Sequence, residues 1–486
     1  MKKGINWKSA SLITVMVIAI TTANAQPDTA RIARLLKTGS GYVLRPGNEK
    51  SDLDSAQFFF NQALLLSRSI RSDKWTNATL EWQGDCYLEG NDLASGIACF
   101  QKVTDYFHRM GDWRGEAGAW ARLGECITNF KPAFSEKKAS CYERARQLYH
   151  LAGDTLNELE AYKNEADANL YLRKLDLAEN ELLQVIEGYK AIHFRRLHYT
   201  YDLLRAVSNL KGDLVKEVFY TMEMVRSLET TDAGDDSTLF GVLYAAAGNT
   251  YAKIGMWDRS LYYSRKGWVW SRVDPTNYID YFMATRSVVS SLLGKDSARA
   301  ALNFLSAAIR QQPPVSPYTR AIVLLTEGGC YSALGDYSKA EKTFTTLDAL
   351  LRNDRAFHLD RVFAVQNLEM ILGIGNSYLL LHRYEKADLY AKKLNFSISD
   401  LTSLEQRTRI ERFRSRLDSA MGRYGEALRH FETFQQLNDS MFSVQREVQI
   451  QELQIQYALD EKDKNIRLQA DNIQLLTKEN QVQQAR

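Results

Sequence analysis

Small and aromatic residues return along this chain in a fixed frame. Gly328, Tyr331, Gly335, Tyr337, Ala340, Phe344 and Leu347 set it. It comes back at Gly248, Tyr251, Gly255, Trp257, Ser260, Ser264 and Gly267, and at Gly375, Tyr378, His382, Tyr384, Ala387, Ala391 and Leu394. Its second half stands in Gly422, Tyr424, Ala427, Phe431 and Phe434, and an early copy in Gly84, Tyr87, Gly96, Phe100 and Val103. Steps of three and four residues put these positions on one face of a helix. A small residue in one helix admits a ring from the next, so each copy predicts two short helices packed closely. The glycine between them suits a left-handed helix stop. One such pair cannot bury its own core, and stacking neighbours into a solenoid buries it.

The spacing resembles the tetratricopeptide repeat. The good glycines at 84, 124, 248, 328 and 375 give a period nearer ~40 residues than the usual 34. Degenerate copies fill the gaps: Ala56, Phe60 and Ala63; Leu123, Gly124, Ile127, Tyr142 and Ala145; Ala300, Phe304 and Ala307. The expected organisation is an all-α solenoid of about nine units over residues 52–438, after an N-terminal segment at 26–51. The resemblance implies a right-handed superhelix with a concave groove for protein or peptide partners. A polar loop at 230–238 and the proline-rich stretch 311–317 interrupt the frame, and a bend near 230–240 is expected.

The frame stops at about residue 439. Residues 440–486 contain no glycine and no proline and carry a thin apolar seam, with Ile450, Leu453 and Tyr457 in heptad step and Leu468, Leu475 and Val482 out of phase with them. A C-terminal coiled-coil helix at 439–486, pairing two copies through 440–486, is expected; a solvent-exposed terminal helix is the alternative. This order of parts resembles the extracytoplasmic half of exported repeat-containing sensor proteins, whose coiled segment leads to a membrane helix and a histidine kinase or helix-turn-helix output domain. This sequence reaches Arg486 with neither.

At the other end Lys2, Lys3 and Lys8 precede the apolar run Leu12–Ile20 and the small-x-small triplet Ala23-Asn24-Ala25. That is the pattern of a signal peptide over residues 1–25, and the expectation is an exported protein, periplasmic or extracellular. No later stretch is apolar for the ~18 residues a membrane helix needs. Cys86, Cys99, Cys126, Cys141 and Cys330 form no C-x-x-C, and small thiols buried between helices are expected.

Net charge is only +3, from 62 Lys and Arg against 59 Asp and Glu, which gives no support for a nucleic-acid partner. The 7 histidines include no H-E-x-x-H. There is no Walker loop, no G-x-S-x-G and no dinucleotide fingerprint, so the chain is read as non-enzymatic, with no cofactor and no metal. The aromatics Trp257, Tyr262, Tyr263, Trp268, Trp270, Tyr278, Tyr281 and Phe282 are expected to be mostly packing core. In tetratricopeptide repeats, residues one and five past the small packing residue face the groove. These positions give Asn249 with Lys253, Asn376 with Leu380, and Arg416 after Ser415 as peptide-groove candidates. Asn can bond a peptide backbone and Lys or Arg a carboxylate; the plain alternative is a solvated polar face. Three functions remain open: an exported scaffold or sensor that binds protein or peptide, its tail used for dimerisation or signal transfer; a truncated or split input half of a two-component sensor histidine kinase; and a carbohydrate- or envelope-binding structural protein.

Overall fold

The structure is a computed structural model that describes residues 27–45, 49–127, 132–231, 237–273, 277–353, 362–394, 404–443 and 446–447. The expected signal peptide and nearly all of the expected coiled coil lie outside them. Among the described residues there are twenty helices and no strand. They form consecutive antiparallel pairs: Pro27–Val43 (α1) with Lys50–Ser69 (α2), Asp73–Glu89 (α3) with Leu93–Met110 (α4), Trp113–Cys126 (α5) with Pro132–Leu151 (α6), Thr155–Tyr171 (α7) with Leu175–Ala191 (α8), and His198–Lys211 (α9) with Leu214–Glu229 (α10). The second half continues with Ser237–Lys253 (α11) and Trp257–Trp270 (α12), Tyr278–Gly294 (α13) and Ala298–Gln311 (α14), Pro317–Ala333 (α15) and Tyr337–Asn353 (α16), Val362–Leu380 (α17) and Tyr384–Leu394 (α18), and Leu404–Ala420 (α19) with 424–443 (α20).

The pairs number ten where the sequence suggested about nine. The additional helix is α1, inside the segment 26–51, and residue 52 falls within the second helix of the first pair. This pair closes as the others do: a Cβ on Gly39 of α1 would meet the Phe60 ring of α2 at 2.5 Å. At the far end α20 runs through residue 439 without a break.

The packing rule read from the sequence is visible atom by atom. A Cβ on Gly84 would stand 2.6 Å from the Phe100 ring, and one on Gly328 would stand 2.6 Å from Phe344. Real carbon contacts never approach so closely, so only glycine lets the ring seat fully. Phe100 and Phe344 are accordingly buried. Gly375 departs from the frame: Ala391 leaves the space open, and Phe413 of the next pair enters it instead, 2.7 Å from the Cβ position. Between α11 and α12 the helices approach until backbone meets backbone, with Gly267 against Ala245 and Gly241 against Ser271. Hydroxyls replace rings here. Ser260 bonds Ser291 and Ser264 bonds Ser287, both at 2.7 Å, which ties α12 to α13.

Turns between helices use a two-residue stop and start. Asn91, Gly111, Gly153 and Gly212 take positive φ, and the aspartate that follows each one caps the next helix. Asp92, Asp112, Asp154 and Asp213 accept from the backbone N–H three residues on. The stretch 311–317 is a longer junction with no left-handed stop, where Gln312 is extended, Ser316 caps α15 and Pro317 opens it. The polar loop at 230–238 falls mostly outside the described residues, and α10 packs directly on α11 across it.

Substantial packing runs only to the next helix, or to the next but one along the first helices of the pairs. First helices touch one another across most successive pairs, though not α5 with α7 or α9 with α11 to a similar extent, and second helices make no comparable contact. The row that touches is the shorter, inner side of the stack, and this places the concave wall on α3, α5, α7, α9, α11, α13, α15, α17 and α19. Among the described residues no helix is long and apolar enough to cross a membrane. All five cysteines are buried free thiols, and burial pushes the Cys86 and Cys330 thiols up to about 12.

Gly248→Ala is expected to cost about 2–3 kcal/mol, because the new methyl would meet the Ser264 backbone N at 2.9 Å and the Ser260 carbonyl at 3.0 Å. Gly335→Ala has open space around it and is expected to cost only its left-handed backbone strain, about 1–2 kcal/mol. Urea unfolding of the two variants measures both.

Candidate functional site: the inner wall

The inner row carries an unusual density of charge in its first half. Asp85 on α3 is buried, with Arg122 of α5 at 3.6 Å. Arg122 also donates to Glu125 at 2.7 Å and lies over the Trp82 ring at 5.8 Å. Glu81, one turn before Asp85, has its carboxyl pushed up to about 6 by burial, with Arg122 pulling the other way. Two pairs further, Lys163 of α7 is buried and donates to Glu160 at 2.5 Å, and it stands over the Tyr199 ring of α9 at 5.8 Å. Burial works to raise Glu160, but Lys163 and the Tyr189 hydroxyl, donating at 2.6 Å, hold it below its ordinary value. Burial raises Asp167, against the pull of Lys138 and Lys163. On α9, Arg205 donates to Asp202 at 2.8 Å.

Arg122 and Arg205 keep 16% and 17% of their side-chain surface in water, while Asp85 and Lys163 are buried behind them. The acids Glu81, Glu125, Asp167 and Asp202 with buried Asp85 stand among the bases Arg122, Lys138, Lys163 and Arg205, so the wall carries a slight excess of acid.

The five sequence candidates all fall on first helices, in three places. Asn249 and Lys253 are on α11, Asn376 and Leu380 on α17, and Arg416 on α19. Asn249 is exposed and accepts from Ser287 of α13 at 2.9 Å. Lys253 is committed within the protein: its ammonium reaches both oxygens of buried Glu217 on α10, at 2.7 and 3.0 Å. The Asn376 amide donates to the Leu372 carbonyl of its own helix at 2.9 Å. Leu380 is half-buried and Arg416 exposed. The structure therefore does not gather them into one cluster. The frame rule that picks Asn249 and Asn376 also falls on Asp85 and Glu125, one residue past Gly84 and Gly124. Those two belong to the charged ladder, and the signal for them was in the sequence.

The aromatics crowded after residue 257 mostly fill core. Tyr281 and Phe282 are buried, and Tyr263 stacks between Tyr244 and Tyr251. Tyr262 is exposed under Lys266. Among the described residues no group of three or more His, Cys, Asp or Glu side chains is placed to hold a metal ion.

No protein-family model matches the chain, and no curated protein matches it. Solved helical structures resemble it at low identity. A Rap protein complexed with Competence and Sporulation Factor is 14% identical over 69% of this chain and 99% of its own, with a TM-score of 0.46. The apo form of the quorum sensor NprR from B. thuringiensis is 12% identical over 76% and 98%, with a TM-score of 0.48. A human IFIT1 dimer with PPP-AAAA is 14% identical over 87% and 93%, with a TM-score of 0.44. These figures carry no functional argument. The class is defined by the chain's own helices: an all-α solenoid of tetratricopeptide-like pairs with a charged inner wall.

His198, at the start of α9, gives a test of the burial. It is 1% exposed, with Nδ1 at 3.2 Å from Ser227 Oγ, and burial brings its pKa down to about 4, aided by Arg196 and Lys163. The folded state thus holds the neutral ring. Its stability contribution is complete above pH 6.5 and shrinks as pH falls toward 4. The expected loss from this residue between pH 7 and 4 is about 3 kcal/mol. The difference in unfolding free energy between wild type and His198→Gln, followed over that range, measures it.

Proposed function

We propose that this chain is an exported, non-enzymatic scaffold or sensor module that holds an extended segment of a protein or peptide along its inner wall. The observation that carries the reading is the ladder Asp85–Arg122–Glu125, continued by Lys163, Asp167, Asp202 and Arg205, on successive first helices. A solenoid needs no charge on its inner wall to be stable, because its core is built within and between the stacked pairs. Charges kept on a wall that water reaches are suited to pairing with a ligand's own charges as it lies down. The excess of acids favours a segment with basic side chains. Asn249, Asn376 and Arg416 are proposed as further contacts along the same wall. The signal-peptide pattern of residues 1–25 supports export, and the seam in 440–486 supports a role for the tail in pairing copies or passing on a signal.

Fluorescently labelled extended peptides of matched length, with Lys or Glu at alternate positions, test the reading. The Lys peptide is expected to bind and the Glu peptide not. Asp85→Asn with Glu125→Gln is expected to weaken the Lys peptide at least ~5-fold at a temperature where circular dichroism shows the variant folded. Binding is also expected to weaken below pH 6 as Glu81 takes up its proton. Equal binding of both peptides, or no effect of the double variant, would remove this wall as the site.

A further inference from the structure

Helix α20 is the last described helix of the stack, and one of its flanks is exposed. In inner pairs, the outer flank of each second helix is covered by the following first helix. Trp257 at the start of α12 fills the space beside Gly294 of α13, Ser264 bonds Ser287 of α13, and Phe344 of α16 meets Gly373 of α17. The same frame positions in α20 are Tyr424 and Phe431. Phe344 is 2% exposed, whereas Phe431 is 44% exposed and Tyr424 74%. Leu428 and Phe442, 58% and 62% exposed, extend the strip.

The strip has a regular step. Tyr424, Leu428, Phe431, Gln435, Asn438 and Phe442 follow one another by 4, 3, 4, 3 and 4 residues, the spacing of a two-helix seam, over about 27 Å of helix. Ala427 and Phe434, on the adjacent face, pack toward α19, where Ser415 Oγ donates to the Ala427 carbonyl and Arg412 lies over the Phe434 ring. The seam is therefore a second face, left over after the helix has met its own solenoid.

The polar members of the seam argue for a second copy. In a parallel pair of identical helices Asn438 meets Asn438 and Gln435 meets Gln435, and amides satisfy each other. An antiparallel pair overlapping the same strip sets Asn438 against Leu428 and Gln435 against Phe431, which strands the amides. We propose that α20 is a homodimer interface, in which the Tyr424–Phe442 seam packs in parallel on the same seam of a second copy. This inference is independent of the groove reading, since the seam lies on a second helix and the groove on first helices.

Full-length wild type is expected to sediment as a dimer, and Leu428→Glu as a monomer with an unchanged thermal midpoint, since that side chain is mostly in water in the single chain. A second measurement does not depend on loss. Because the five native cysteines are buried, Asn438→Cys is expected to form an intermolecular disulfide on mild oxidation, and Arg429→Cys, on the opposite side of α20, is not. A monomeric wild type, a Leu428→Glu chain that stays dimeric, or equal cross-linking of the two cysteine variants would each overturn the proposal.

Discussion

An aromatic ring pressed into the gap left by a missing side chain is the contact on which this molecule depends. Phe60 against Gly39, Phe100 against Gly84 and Phe344 against Gly328 are one interaction used three times. Each closes two antiparallel helices tightly enough that the pair acts as a single brick. The ring supplies buried apolar area, and the glycine supplies the distance at which that area is fully used. Where the chain has no ring to offer, it keeps the distance and changes the chemistry. Ser260, Ser264, Ser287 and Ser291 form a buried hydroxyl chain in the middle of the stack, and Gly241 and Gly267 bring the backbones together there.

Close pairing also decides where charge can sit. The first helices give one face to the core within and between pairs and leave the other toward the groove, where polar side chains can sit. Arg122 and Asp202 keep part of their surface in water, and buried Asp85 and Lys163 each have an opposite charge within reach. A buried ion pair in a closed core would cost more in desolvation than it returns, and here the open groove moderates that cost. The wall can carry charge because the groove leaves one side of it open.

The repeat was legible because its cause is local: a glycine and a ring at fixed spacing need no knowledge of the rest of the chain. Helix α1 was harder to read. Its mate Phe60 stood out, and Gly39 with Tyr42 three residues on carries the same step as Gly328 with Tyr331, a copy that lay in the sequence and went unread. Gly375 shows the limit of a spacing rule, since Phe413 from the next pair does the work that Ala391 cannot. For the wall, the rule that selected Asn249 and Asn376 pointed equally to Asp85 and Glu125. What the sequence could not supply was the partner. Lys253 reads as a ligand-binding cation until Glu217, 36 residues earlier and on another pair, is placed against it.

Because helices bind only their near neighbours, this molecule has no keystone. Damage to one pair weakens two junctions and leaves distant bricks as they were, so the stack can loosen from an end while its middle holds. A stretch of such a chain can therefore yield or tighten around a guest piecemeal. The energy of each small adjustment stays within a junction or two and is not spread over the whole length.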